Sequence, residues 1–108
     1  MHCIVLVTAK NTQEAKKIAK KLLEAKLIAC ANVIKDIESH YWWKEKIERS
    51  NEVMLVLKTK RDLFKKVVKT VKMMHSYDVP EIIALEIING YNPYLQWIDE
   101  SLKKGKKK

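Results

Sequence analysis

Residues 74–82 read Met74-His75-Ser76-Tyr77-Asp78-Val79-Pro80-Glu81-Ile82 and place one imidazole and two carboxylates, those of His75, Asp78 and Glu81, in a short span. Nitrogen and oxygen donors of this kind suit a divalent cation, Cu(II) heads the divalent affinity series for them, and Met74 adds a thioether suited to Cu(I). Their spacing specifies no coordination geometry. The same residues also have a structural reading: His75 at a helix C-terminus where its charge is favoured, Asp78 bonded to the loop backbone, and Glu81 paired with a lysine. Tyr77 reads as a loop anchor, or as a hydroxyl contributing to a small-ligand cleft in the loop that Pro80 shapes. His2 and His40 are isolated, and a lone histidine beside tryptophans serves packing and hydrogen bonding more often than ligation. No cofactor is required by the sequence; Cu(II) or another divalent cation is the candidate.

The elements that must hold this loop follow from periodicity. Cys3 to Thr8 is a continuous apolar run suited to a central strand. Asn11 and Glu14 form an Asn-x-x-Glu capping pattern, after which Ala15, Ile18, Ala19, Leu22 and Leu23 fall on one helical stripe. Ile28 to Glu48 is long and β-like, with a break near Lys35-Asp36. Ser50-Asn51 reads as a turn into a second strand, Glu52 to Thr59, which makes a long hairpin. Asp62 is placed to cap a helix whose stripe is Leu63 or Phe64, Val67, Val68, Val71 and Met74. Pro80 forces Val79 to be extended, so His75 to Glu81 is a loop and Ile82 to Ile88 the last core strand. Tyr94, Leu95, Ile98 and Leu102 then mark a terminal helix. This order is the split βαβ plan of an α+β, ferredoxin-like sandwich: an antiparallel sheet with helices on one face, plus a C-terminal helix.

Tyr41-Trp42-Trp43 lies within the hairpin. In a strand Tyr41 and Trp43 share one face and Trp42 takes the other, so both faces need an apolar cover. A two-sided core strand is one answer. Lys44, Glu45, Lys46 and Glu48 suit an edge better than a centre, and Tyr41, Trp42, Trp43 and Ile47 are therefore assigned to a subunit interface of a homo-oligomer.

A chain of 108 residues makes one domain, here residues 1–102, followed by a lysine-rich tail over 103–108. The tail holds five of the lysines behind the net charge of +9, which makes that charge weak support for nucleic-acid binding. Cys3 and Cys30 lack CxxC spacing and read as reduced core thiols. The apolar run Ile4-Val5-Leu6-Val7 is far below the roughly 20 residues that span a bilayer, so no membrane partner is expected and the location expected is cytoplasmic. Only two glycines occur, Gly90 and Gly105, which excludes a Walker loop and a GxGxxG fingerprint. GxSxG and HExxH are absent too, so the chain is not expected to be an enzyme. Cys3 to Thr8 and Val53 to Leu57 lack the aromatics on which an RNA-recognition sheet stacks bases, so no specific nucleic acid is expected.

Five blocks in order resemble the CutA divalent-cation tolerance family: Ile28-Ala29-Cys30-Ala31-Asn32-Val33, Tyr41 to Glu48, Leu57-Lys58-Thr59, His75 to Ile82, and Tyr94-Leu95-x-Trp97. The resemblance covers nearly the whole chain. It implies a ferredoxin-like homotrimer, cytoplasmic in prokaryotes, associated with copper and other divalent cations and acting by binding without an established reaction. It also implies that the hairpin around Tyr41 to Asn51 pairs with a neighbouring subunit. Two departures stand out. Glu45 occupies a position where many members carry glycine. Val7 and Met74 occupy the positions of the cysteine and histidine among the family's proposed copper ligands, so that only Glu81 matches that set. The alternative function is that of a trimeric signalling protein similar to the PII type, sensing a small molecule or partner in clefts between subunits.

Overall fold

The computed structural model describes residues 1–103; of the lysine-rich tail, all but Lys103 lies outside the described residues. Strands β1 (His2–Ala9), β2 (Cys30–Trp43), β3 (Lys46–Lys60) and β4 (Ile82–Glu86) form one sheet in the order β2-β3-β1-β4. Every neighbouring pair is antiparallel. Helices α1 (Thr12–Glu24), α2 (Phe64–Met74) and α3 (Asn92–Leu102) complete the chain. This is the expected ferredoxin-like α+β plan.

The core follows from alternation along the two central strands. Cys3, Val5, Val7 and Ala9 of β1 face Thr59, Leu57, Leu55 and Val53 of β3, and all eight are buried. Ile18 and Leu22 of α1 and Val67 and Val71 of α2 cover them. Each fully buried Val, Leu or Ile is worth about 1.5–3 kcal/mol of transfer free energy. The Thr59 hydroxyl is satisfied by donating to the Leu27 carbonyl at 2.6 Å.

At the start of α1, Asn11 Oδ1 accepts the Glu14 amide at 2.8 Å, and Glu14 Oε1 reaches back to the Lys10 amide at 3.0 Å. The Asn11 half of the cap is the expected one, while Glu14 takes the amide one residue before the cap in place of the Asn11 amide. Leu23 is exposed instead of joining the stripe, because one residue past Leu22 the helix has turned by about 100°. Asp62 does not cap α2: it lies inside a short 3-10 turn, Arg61–Leu63, and no side chain caps the helix. β4 is shorter and less buried than expected of a core strand. It ends at Glu86, occupies the sheet edge, and leaves Ile83 and Leu85 about half exposed. α3 closes the far end of the sheet, where Asp99 meets His2 and Lys60, residues that alternate with the core-facing Cys3 and Thr59.

The hairpin differs from expectation in its turn. Ser50 and Asn51 pair with Ser39 and Glu38 inside the ladder, and the chain reverses instead at Lys44-Glu45, both at positive φ (48° and 67°). A two-residue loop with both φ positive matches the right-handed twist of the strands it joins. The break near Lys35-Asp36 is present as a bulge between Ile34 and Ile37, with Asp36 at φ 59°. β1 ends at Ala9, opposite Val53, so β3 from Lys46 to Glu52 pairs with β2 alone. The distal hairpin thus leaves the sheet as a two-stranded ribbon, and the molecule is elongated, 52 × 29 × 22 Å.

Candidate functional site: the loop at the root of the ribbon

Pro80 and the end of α2 leave residues 75–81 as a loop beside the end of β1, next to the point where the ribbon departs. His75 is the first residue beyond α2; its amide donates to the Val71 carbonyl at 2.9 Å and closes the helix. Its ring then turns inward. Nε2 donates to the Thr8 carbonyl at 2.7 Å, and Nδ1 accepts the Tyr77 amide at 3.1 Å. One ring nitrogen is thus the donor and the other the acceptor, so both are occupied and neither has a lone pair left for a metal. The Tyr77 ring packs 4.7 Å from the His75 ring, centroid to centroid.

Two glutamates hold the rest of the loop. Glu14 Oε2 accepts the Ser76 amide at 2.7 Å while Oε1 keeps the Lys10 amide. Burial works to raise the Glu14 carboxyl, but these hydrogen bonds outweigh it and hold the group below the usual carboxylate range. Glu52 Oε2 accepts the Tyr77 hydroxyl at 2.8 Å, and its Oε1 accepts the Ser39 hydroxyl at 2.6 Å. Burial, then the Glu52 carboxylate it is bonded to, pushes the Tyr77 phenol well above its ordinary range. Tyr77 is therefore the loop anchor, not a free hydroxyl. Pro80, three residues on, is half-buried.

Asp78 and Glu81 are exposed and, among the described residues, form no hydrogen bond or ion pair. Glu81 does not pair with a lysine, and Asp78 does not bond the loop backbone. The structure does not bring His75, Asp78 and Glu81 together: among the described residues no three His, Cys, Asp or Glu side chains gather as a cation-holding group. Val7 is fully buried and Met74 packs against the core, so both positions serve packing here. A cleft of about 750 Å³ lies at the other end of the sheet, against Lys60, Trp97 and Asp99, away from Tyr77 and Pro80. Glu14, Glu52 and Thr8 are the loop's partners that sequence reasoning missed, with Ser39 bonded to Glu52 behind them. Only Glu14 carried a local signal, its place in the capping pattern.

The ribbon presents its aromatics to solvent. Trp42 is 72% exposed, Ile47 68%, Trp43 55% and Tyr41 40%. Trp42 stands opposite Ile47 in the ladder, which makes a contiguous apolar patch, and Lys44 Nζ lies 5.7 Å from the Trp43 ring centroid. His40 is engaged by Glu38 at 2.8 Å, which also takes Arg49 at 3.0 Å. Trp42, Ile47 and Trp43 are left more than half exposed by the chain's own fold, and Tyr41 is more than half covered.

Residues 3–101 match the sequence profile of the CutA1 divalent ion tolerance protein. The chain belongs to the CutA1 family. It is 44% identical over 103 residues to the divalent-cation tolerance protein CutA of Archaeoglobus fulgidus, spanning 95% of this chain and 100% of that one. It is 41% identical to the CutA of Pyrococcus horikoshii, covering 94% and 98% of the two chains. The rice chloroplastic CutA 1 is 40% identical, and the match spans only 56% of that longer protein. The fold agrees: the structure of the periplasmic CutA of Archaeoglobus fulgidus superposes with a TM-score of 0.93, and that of the Thermus thermophilus protein, 39% identical over 94% of this chain and 98% of that one, with 0.92. These relatives correct one expectation. A cytoplasmic location does not stand, since the Archaeoglobus protein is periplasmic and the rice protein chloroplastic. No helix among the described residues is long and apolar enough to cross a membrane.

Proposed function

We propose that this CutA1 protein acts in divalent-cation tolerance as a homotrimer that binds cations, Cu(II) foremost, and catalyses no reaction. The observation that carries the reading is the contrast within the loop. His75, Ser76 and Tyr77 are each committed to the protein, whereas Asp78 and Glu81 stand in solvent with their oxygens free. Free carboxylates on a loop pinned at three points form a pre-set partial ligand set, which a second subunit or water completes. Affinity is modest, because one subunit offers no imidazole or thiolate to that set. Ribbon aromatics that lack a cover within the subunit supply the contact between copies.

The test is a Cu(II) titration of the metal-stripped protein, of Glu81→Ala and of Asp78→Ala, with Zn(II), ATP and AMP in parallel. Weaker Cu(II) binding in both variants is expected. Identical isotherms would place the cation elsewhere, and nucleotide binding without cation uptake would replace this reading by that of a PII-like sensor.

A further inference from the structure

We propose that Glu52 is the joint through which the aromatic ribbon positions the loop of residues 75–81, so that capture of the ribbon by a second copy of the chain sets the loop bearing Asp78 and Glu81. This rests on the reading of the ribbon as an interface and of the loop as a cation-binding face. Glu52 is the first residue of β3 beyond the β1 ladder, which ends at Ala9 opposite Val53. On its other side it pairs with Ile37, the first residue after the bulge. A bulge bends and twists the strand that carries it, so the ribbon takes its direction at this rung.

The Glu52 carboxylate spans that bend. One oxygen holds Ser39 of the ribbon at 2.6 Å and the other holds Tyr77 of the loop at 2.8 Å. The loop's other two anchors run elsewhere, from His75 to β1 and from Ser76 to Glu14 of α1. Among the described residues, Tyr77 to Glu52 is thus the one hydrogen bond joining loop and ribbon. Hydrogen bonds to an ionised acceptor are the strong ones, and a partly buried site shields this one from competing water. A ribbon held in a new direction carries Glu52, and with it Tyr77, while His75 and Ser76 stay with the core. Tyr77 and Glu52 are positioning residues here, not ligands.

Hydrogen exchange of the assembled protein tests this. Tyr77→Phe keeps the ring against His75 and removes only the hydroxyl. Amides of 75–81 should then exchange on the order of tenfold faster, the opening expected from losing one bond to a charged group. Amides at 37–40 and 50–53 should also speed up, because coupling between two regions is reciprocal. Trp43→Ala should quicken the loop as well, and adding Trp43→Ala to Tyr77→Phe should do no more to the loop than Tyr77→Phe alone. Arg49→Ala, which breaks an exposed ribbon ion pair, should leave the loop unchanged. A faster loop with an unaltered ribbon root in Tyr77→Phe, or equal acceleration by Arg49→Ala, would overturn the joint. Sedimentation in the same buffer separates a failed joint from a failed assembly, and since no cation is present the result stands apart from the copper titration.

Discussion

The two halves of β3 lie in different surroundings and carry different patterns. From Val53 to Thr59 every second side chain is buried under α1 and α2, while from Lys46 to Asn51 only Ser50 is even partly covered. The chemistry of the strand changes at Glu52, from a stretch that is polar apart from Ile47 to the apolar run Val53 to Leu57, and beyond this rung β1 pairs with it and the helices cover it. One half is stabilised by packing within its own chain. The other holds Ile47 in water opposite Trp42, next to Trp43 of β2, an arrangement that becomes favourable only when something outside the chain covers them.

That comparison yields graded tests. Leu55→Ala, in the buried half, should cost about 2–5 kcal/mol of unfolding free energy through the cavity it leaves, measured by denaturant unfolding. Trp43→Ala should leave the secondary structure of the subunit intact yet weaken assembly by a few kcal/mol, since a tryptophan at an interface removes roughly 150–250 Å² from water. A Trp43→Ala protein that unfolds but stays assembled would reverse the roles of the two halves.

Glu14→Gln probes the loop's attachment to the core side and should cost on the order of 1 kcal/mol at pH 7, as a weakened charge-assisted hydrogen bond does. The Glu14 carboxyl is depressed in the folded protein, so its stabilisation is present above its ordinary value of 4.5 and is lost as pH falls through the lower folded value. The gap between wild type and Glu14→Gln should therefore close in acid. A gap that widened in acid would mean the group is not held as its contacts indicate. The smallest effect belongs to the turn. Glu45 sits at φ 67°, where a side chain is strained, so Glu45→Gly should be stabilising by up to about 1 kcal/mol after the entropy glycine loses on folding.

Much of this was readable from sequence wherever the cause is local. The Asn11–Glu14 cap, the loop imposed by Pro80, the irregularity at Lys35-Asp36 and the strand and helix order all rest on near neighbours. The turn was not, because Lys44-Glu45 adopts the conformation usually marked by Asn-Gly without its residues, while Ser50-Asn51 has turn composition but is held in the ladder by Ser39 and Glu38. β4 suggests a core strand because Ile82 to Ile88 is apolar apart from Glu86, yet apolar character does not say whether the chain's own helices cover it. At the site, His75 and Tyr77 were singled out, but their partners Thr8 and Glu52 lie 67 and 25 residues away, beyond any spacing rule. Residues bonded over such separations lose their apparent availability as ligands only once the fold is known.

The claim on which the rest depends is that the exposed half of the hairpin is covered by other copies of the chain. Sedimentation velocity with light scattering on the wild type, diluted through the micromolar range, tests it most directly. A species of three times the chain mass that persists on dilution and dissociates in Trp42→Ala/Trp43→Ala is the expected result. A wild-type monomer at micromolar concentration would contradict it.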